Sequence, residues 1–249
     1  MRFEQDFLPL PGVHNIRDLG GLPRAGGGAT AHRRVMRGCA MRGLAPAGRA
    51  ALIEAGLGTV IDLRAAAERA EAPSPFAGTA GIEDIHLPLF EDLAPLVQMM
   101  AGDAAFTLDR RYGAALDAAA PRFAAAIAAV ADAGPGIVLF HCTAGKDRTG
   151  LIAALLLVLA GVPRDAIAAD YARTATDGAA LIDSLRVRAL AAGADPQMLG
   201  VMLSSPAEAM AATLDHLDAG HGGARGYLAA AGLDGAAMDR AAQRLGPAG

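Results

Sequence analysis

One cysteine and one arginine stand six positions apart in the stretch HCTAGKDRTG, at Cys142 and Arg148. A cysteine thiolate is a strong nucleophile, and a planar guanidinium binds two oxygens of a phosphoryl group at once. Gly145, between them, permits a backbone conformation that a Cβ would oppose. The residue types and their spacing indicate a tight anion-binding loop in which nucleophile and arginine face one bound group.

Regular elements on both sides must hold this loop in place. The apolar run GIVLF at 136–140 predicts a buried strand before it, and the apolar stretch at 149–160 predicts a buried helix after it. A loop between a parallel strand and a helix lies at the carboxyl edge of the sheet, where ligands of open α/β folds bind. Because amides at a helix N-terminus favour anions, we expect those of residues 143–148 to form a phosphate-sized cradle.

The other loop residues have predicted roles in the same cradle. Lys146 is expected to add a positive charge at the rim, and the Thr149 hydroxyl stands where it could hydrogen-bond the thiolate. No metal-ligand spacing accompanies the loop, and the chemistry requires neither metal nor cofactor. The predicted phosphate-binding residues are Thr143, Ala144, Gly145, Lys146, Asp147, Arg148 and Thr149.

The stretch HCTAGKDRTG resembles the Cys-x5-Arg phosphate loop of cysteine-dependent protein tyrosine phosphatases. More narrowly, it is similar to a bacterial group of these enzymes, some of which act on phosphoinositides. The resemblance implies that the Cys142 thiolate attacks phosphorus, that an acid protonates the leaving oxygen, and that water then hydrolyses the phosphocysteine. Other stretches resemble that group in the expected order, namely NIRDLGG (15–21), VMRGCA (35–40), VIDLR (60–64) and DAIAADYART (165–174).

The proton donor has three candidates. The chain has no tryptophan, so the Trp-Pro-Asp loop of the larger tyrosine phosphatases cannot be located by its motif. Asp62 is the first candidate, because it ends a predicted strand at 59–63 and would share a sheet edge with Cys142. Asp147 inside the loop is the second and Asp92 in LPLFED the third. The competing interpretation of Asp62 is a structural cap or ion pair.

Two further polar features have paired interpretations. Asn15, Arg17 and Asp18 are expected to form a polar network beside the loop, or else to stabilise a local turn. Cys39 is expected to be a core thiol. Its alternative role is to form a disulfide with an oxidised Cys142.

Predicted helices and strands alternate along the chain. This order favours an α/β fold, which by resemblance is tyrosine-phosphatase-like, with a short, mainly parallel sheet flanked by helices. Pro121 predicts a break in the helix over 109–133. We expect a single domain over 1–249, with an N-terminal ribbon (1–45), a sheet and helix core (46–175) and an extended helical region (176–249).

Composition limits the partners. The net charge of −4 provides no general footprint for nucleic acid, and the longest apolar stretch, 151–162, is shorter than the roughly 20 residues of a membrane span. Two cysteines suit a reducing compartment, and the N-terminal stretch has no uninterrupted apolar region typical of a signal peptide. We therefore expect a cytoplasmic protein without a membrane span, leaving leaderless export open.

The expected function is hydrolysis of phosphotyrosine, with phosphoserine and phosphothreonine as additional substrates. One alternative is a phosphoinositide phosphatase of the same mechanism, and another is a phosphate-binding module without catalysis. A P-loop NTPase is excluded because AGKDRT lacks the first glycine of that motif and has Asp147 after the lysine. A rhodanese-like sulfurtransferase fits less well, because Arg148 in the sixth position after Cys142 suits phosphate.

Overall fold

The computed structural model describes residues 10–90 and 106–247. Within them, five strands form one sheet in the order β1-β2-β5-β3-β4. Only the β1–β2 pair is antiparallel, so the prediction of a short, mainly parallel sheet is confirmed. The strands are Arg17–Asp18 (β1), Val35–Gly38 (β2), Leu57–Asp62 (β3), Glu83–His86 (β4) and Ile137–His141 (β5).

Strand β5 lies at the centre of the sheet, and all of its residues are buried. Its last residue, His141, pairs with Gly38 at the end of β2 and with Asp62 at the end of β3. Three parallel strands thus end at the same edge of the sheet. The loop that follows β5 leaves from this edge, as the sequence predicts for a ligand site.

Helices cover the sheet and make up the C-terminal part of the chain. The helix after β5 is almost entirely apolar and buried, because it packs between the sheet and other helices. A 3-10 turn spans Met41–Gly43. The helices are Pro46–Glu54 (α1), Ala66–Glu71 (α2), Leu108–Asp132 (α3), Asp147–Leu159 (α4), Arg164–Ala172 (α5), Thr174–Asp177 (α6), Ala179–Ala191 (α7), Pro196–Leu203 (α8), Ala207–His221 (α9), Gly223–Ala230 (α10) and Gly235–Arg244 (α11).

Helix α3 is kinked at Ala119, where φ is −123° and ψ is 22°. The kink lies two residues before Pro121, which has no N–H and whose ring crowds the preceding turn, so the predicted break is confirmed. The helix is long and apolar enough to cross a membrane by length and composition. However, its fully buried Phe123 and Ile127 belong to the hydrophobic core, and α3 packs against α4, α9 and α11 as a core helix does.

The two faces of the sheet bury different clusters. The larger cluster surrounds α4 and contains Phe140, Leu155 and residues of α3, α9, α10 and α11. On the other face, α1 covers a smaller cluster that contains Val60 and Phe76. The C-terminal helices also reach the N-terminal ribbon, where the backbone N–H of Ala31 donates to the carbonyl of Leu245. The helical C-terminal region is confirmed, and the single domain over 1–249 stays a prediction.

Candidate active site

The loop begins at Cys142, directly after β5, and its second half is already helical. Helix α4 starts at Asp147, two residues before its predicted start, so Arg148 lies in the first helical turn. Gly145 has a φ of +68°, and a Cβ on it would lie 2.6 Å from the backbone of Gly38 and 2.8 Å from Cys39 N. The loop therefore rests directly on the end of β2, which only a glycine permits.

Three consecutive loop carbonyls accept hydrogen bonds from residues of the N-terminal ribbon. Ala40 N donates to the carbonyl of Thr143 at 3.1 Å, and Asn15 Nδ2 donates to those of Ala144 and Gly145 at 2.9 and 3.0 Å. In a planar trans peptide the N–H points opposite to the C=O. The amides of Ala144, Gly145 and the next residue, Lys146, therefore face the other side of the loop, which is the orientation that an anion cradle requires.

A buried ion cluster supports these carbonyls from below. Asp170 of α5 accepts from Arg17 Nε at 2.7 Å and from Arg37 Nη1 at 2.6 Å, while Arg37 Nη2 donates to the Gly145 carbonyl at 2.9 Å. Burial opposes the charge on Asp170, but the two arginines lower its pKa to about 2. Burial and the charge of Arg17 lower the pKa of Arg37 to about 10. Both arginines are thereby fixed beneath the loop.

The network predicted beside the loop includes Asn15 and Arg17 but not Asp18. Arg17 Nη1 donates to Asn15 Oδ1 at 2.5 Å, which orients the amide that holds the loop carbonyls. Asp18 instead accepts from the backbone N–H groups of Gly20 and Arg33, so it stabilises a turn. Arg37 and Asp170 were missed as site residues, although both lie in stretches that carry the family resemblance.

The guanidinium of Arg148 binds a carboxylate of the protein itself. Its Nη1 and Nη2 donate to Oε2 and Oε1 of Glu68 at 2.6 and 2.9 Å, and the hydroxyl of Thr143 donates to Oε1. Despite desolvation, these bonds lower the pKa of Glu68 to about 2. The pKa of Arg148 is raised although burial opposes this, because Glu68 and the charge of Cys142 favour the cation. Arg148 thus binds an oxyanion end-on, as it would a phosphoryl group.

Glu68 was missed by sequence reasoning, yet a local signal points to it. It lies six residues after Asp62, in the first turn of α2, and its Oε2 also accepts from Ala65 N at 2.9 Å. An acidic residue three positions into a helix that follows a strand is typical of a helix cap. That pattern predicts the cap but not the contact with Arg148, which depends on how α2 packs.

The structure places Asp62 in a buried ion pair, which does not favour the predicted role as proton donor. Its carboxylate is fully buried and accepts from Arg64 Nε at 2.9 Å, Arg64 Nη2 at 2.7 Å and Arg64 N at 3.0 Å. Burial raises the pKa of Asp62, but the hydrogen bonds of Arg64 and the charge of nearby His141 outweigh it, and the pKa is lowered. The competing interpretation as an ion pair is correct. The third candidate, Asp92, lies outside the described residues.

Asp147 is the acidic residue of the loop itself, and its side chain is partly exposed. It accepts from the Tyr112 hydroxyl at 2.6 Å and from Lys146 Nζ at 2.9 Å, and Arg111 Nη1 lies 3.8 Å away. Burial opposes the charge, but Lys146 and Arg111 lower the pKa of Asp147 to about 2. Tyr112 also shares a 2.7 Å hydrogen bond with Tyr171.

Two predictions for neighbouring loop residues are wrong in detail. Lys146 does not lie at the rim, because its side chain is 2% exposed and its Nζ donates to the Ser204 carbonyl at 2.9 Å. The hydroxyl of Thr149 is buried with no hydrogen-bond partner among the described residues, so the predicted bond to Cys142 is not formed. Lys146 anchors the loop to the segment between α8 and α9.

A cavity of about 390 Å³ opens beside the loop. Thr143 and Glu68 contribute to its wall, so it adjoins the oxyanion position on Arg148. Its lining combines arginines, the carboxylates of Glu68 and Glu71 and apolar side chains, and Arg42 pairs with Glu71. The arginines and leucines that line it are Arg42, Arg64, Arg188, Leu181 and Leu185.

Comparison with known proteins identifies the family. Residues 8–246 match the sequence model described as the tyrosine phosphatase family. The chain belongs to this family. The phosphatase is 35% identical over 211 residues to a tyrosine-protein phosphatase of Nostoc commune, covering 83% of this chain and 72% of that protein. It is 29% identical to the triple specificity protein phosphatase PtpB of Mycobacterium tuberculosis, over 93% of this chain and 96% of that one.

Among solved structures, P. aeruginosa TpbA aligns with this phosphatase with a TM-score of 0.33 and 23% identity. The alignment covers 68% of this chain and 85% of that chain. The assignment to the family therefore rests on the sequence matches.

The second cysteine of the phosphatase has the environment of a core thiol. Cys39 is buried, and its sulfur accepts from the backbone N–H of His14 at 3.2 Å. Burial raises the pKa of Cys39 to about 11, so the reactive thiolate is disfavoured. Both cysteines are free thiols, and the redox role of Cys39 stays a prediction.

Proposed function

We propose that this phosphatase hydrolyses phosphotyrosine through a phosphocysteine intermediate on Cys142. The observation that supports it most strongly is the orientation of the loop. Three carbonyls accept hydrogen bonds from the N-terminal ribbon, so the amides of the next three residues face the opposite side of the loop that runs from Cys142 to Arg148. Preorganised donors of this kind stabilise the charge that develops on the equatorial oxygens of a transferring phosphoryl group.

The reaction follows from this arrangement in two steps. Phosphoryl oxygens replace the Glu68 carboxylate on Arg148, and the Cys142 thiolate attacks phosphorus while the bond to the tyrosine oxygen breaks. The leaving oxygen takes a proton from Asp147. Water then attacks the phosphocysteine, Asp147 takes a proton from that water, and inorganic phosphate and the thiolate are released.

Asp147 must gain a proton before it can donate one. Its pKa is about 2 in the free protein because Lys146 and Arg111 favour the anion. A phosphate dianion bound in the same loop opposes the carboxylate charge and raises this pKa. The Tyr112 hydroxyl, 2.6 Å from the carboxylate, keeps Asp147 oriented during the cycle.

A wider range of phosphorylated substrates forms part of the proposal. Among the relatives, the M. tuberculosis protein is named a triple specificity protein phosphatase, which supports activity on phosphoserine and phosphothreonine as well. The positive charge of Arg188 beside the cavity favours a polyanionic substrate, so a phosphoinositide is the second candidate. The two free cysteines support a cytoplasmic location.

The decisive experiment compares the unmodified protein with Cys142→Ser and, as a matched thiol control, Cys39→Ser. Turnover of phosphotyrosine and phosphoserine peptides and of a phosphoinositide panel is measured with EDTA present. We expect Cys142→Ser to lose turnover while still binding vanadate, and Cys39→Ser to retain activity. Equal turnover in Cys142→Ser would contradict the thiol mechanism. Phosphate binding by the unmodified protein without turnover of any substrate would leave a binding module.

The same assay tests Asp147. We expect Asp147→Asn to lower kcat for phosphotyrosine by about 10²- to 10⁴-fold, the usual contribution of a general acid. The loss should be much smaller for p-nitrophenyl phosphate, because that leaving group departs without a proton. Equal losses on both substrates would show that Asp147 shapes the loop and does not transfer the proton.

A further inference from the structure

We propose that Asp117, His216 and His221 bind a divalent transition-metal ion of the Zn²⁺ class. Asp117 lies on α3, and the two histidines lie on α9, so the ion would join these helices. This site shares no residue with the catalytic loop. It is also independent of which phosphorylated substrate the phosphatase hydrolyses.

The three side chains already converge on one point. Nε2 of His216 and Nε2 of His221 lie 3.0 and 3.2 Å from the same oxygen, Oδ1 of Asp117. A tetrahedral Zn²⁺ with bonds of about 2.0 to 2.2 Å separates its ligand atoms by roughly 3.3 to 3.6 Å. The two His–Asp distances therefore need to lengthen by only a few tenths of an ångström to admit an ion, and all three ligand atoms lie within 4.8 Å of one another.

Packing fixes both imidazole rings. His216 lies against Gly113 of α3, where a Cβ would come within 3.1 Å of Nδ1. A glycine inside a helix costs about 1 kcal/mol relative to alanine, and the space that it leaves here admits the ring. His221 makes an edge contact with the buried ring of Tyr227 at 5.1 Å, and the Tyr227 hydroxyl donates to the Leu116 carbonyl.

The donor set suits a borderline-soft cation. Two imidazoles and one carboxylate are a common three-ligand set for zinc, with water in the fourth position. The side chains of Asp117, His216 and His221 are 51%, 37% and 27% exposed, so ion and water can reach them. Metal binding needs the Nε2 lone pair of each imidazole, so the Nε2 proton that faces the Asp117 carboxylate in these contacts must give way to the ion.

The test uses the full-length protein without an affinity tag and with Cys142→Ser, which removes the catalytic thiolate as a competing ligand. Co²⁺ is titrated in equilibrium dialysis, and its visible absorption reports the ligand geometry. We expect one Co²⁺ per chain, a tetrahedral spectrum without thiolate charge transfer, and displacement by Zn²⁺.

Single variants assign the ligands. His216→Ala and His221→Ala should each weaken Co²⁺ binding by at least the roughly 10- to 100-fold that loss of even an outer partner costs. The matched control is His32→Ala, because His32 is exposed and lies 3.5 Å from a single carboxylate, that of Asp18. Asp117→Asn keeps the size of the side chain and removes its charge, so it tests the site if an alanine variant fails to fold. If the affinity for Co²⁺ were the same in the Cys142→Ser protein and in its His216→Ala and His221→Ala variants, the proposal would be overturned.

Discussion

At the scale of single residues, the contact between Glu68 and Arg148 affects how substrate binds to the free enzyme. Two parallel hydrogen bonds and a third from the Thr143 hydroxyl hold the carboxylate at the guanidinium. A phosphoryl group needs the same donors. An incoming substrate must therefore exchange with Glu68 as well as bind.

Replacing Glu68 tests this exchange. Glu68→Gln removes the anionic competitor while keeping the size of the side chain, so inhibition by inorganic phosphate should strengthen roughly tenfold, as expected for one charge-assisted bond of about 1.5 kcal/mol. The matched control is Glu54→Gln on α1, an exposed side chain that does not line the cavity. Inhibition constants at neutral pH measure the change. Weaker inhibition in Glu68→Gln would show that the carboxylate positions Arg148 for phosphate.

Residue types in a fixed spacing were sufficient to predict the loop between β5 and α4 that carries Cys142 and Arg148. They were not sufficient for Asp62, because a shared strand edge does not fix the direction of a side chain, and Arg64 two residues later pairs with it. Lys146 was misplaced for a similar reason. Its partner, the Ser204 carbonyl, is 58 residues away in the sequence, and no local pattern predicts that contact.

At the scale of elements, the close approach of the loop to β2 is the constraint that shapes the site. Gly145 combines a φ of +68° with backbone atoms of Gly38 only 2.6 Å from a Cβ position. Backbone atoms cannot move aside as a flexible side chain can. The loop and the end of β2 therefore form one unit.

Gly145→Ala should separate the loop from β2. Gly161→Ala is the matched control, because Gly161 has a similar φ of +76° but open space around a Cβ. We expect the control to lower the free energy of unfolding by about 1 to 2 kcal/mol through backbone strain alone. Gly145→Ala should lose more and should also lose phosphatase activity. If Gly145→Ala and Gly161→Ala had equal effects on the free energy of unfolding in urea and on turnover, the clash of the Gly145 Cβ with β2 would be relieved without cost.

Local patterns predicted the elements well. The apolar runs of β3, β5 and α4 and the kink near Pro121 were visible in the sequence, because each depends on neighbouring residues. The contacts of α2 with Arg148 and of α5 with Arg17 and Arg37 were not visible. They depend on how separate elements pack, and α5 contributes Asp170 from a stretch singled out by resemblance alone.

At the scale of the whole molecule, buried charges link stability to pH. The pKa values of Asp170, Asp147 and Glu68 are all lowered to about 2. A carboxyl group with a lowered pKa in the folded state contributes stability that is complete above its ordinary pKa near 4. That contribution is lost as the pH falls from about 5 towards 2, so the protein should unfold more easily in acid.

Asp170→Asn tests the largest part of this dependence. It leaves Arg37 buried without its carboxylate partner and Arg17 with the more distant carboxylate of Asp177, 3.8 Å from its Nη1, so the free energy of unfolding at pH 7 should fall by about 3 to 5 kcal/mol. The difference from the unmodified protein should shrink towards pH 2, where Asp170 itself becomes protonated. The matched control is Asp239→Asn, an exposed partner of Arg225 whose loss should cost no more than about 1 kcal/mol. If the difference in free energy of unfolding between Asp170→Asn and the unmodified protein stayed constant with pH in urea titrations, Asp170 would not be a source of the pH dependence.

Because Lys146 is anchored on Ser204, the loop can be completed only late in the synthesis of the chain. A ribosome synthesises the strand and loop around Cys142 well before Ser204, and Leu245, which accepts from Ala31, comes later still. Domains generally fold as units during synthesis. When Cys142 has just left the ribosome, the nascent chain therefore carries the nucleophile without its finished cradle. Catalytic activity should appear only after the last helices have emerged from the ribosome.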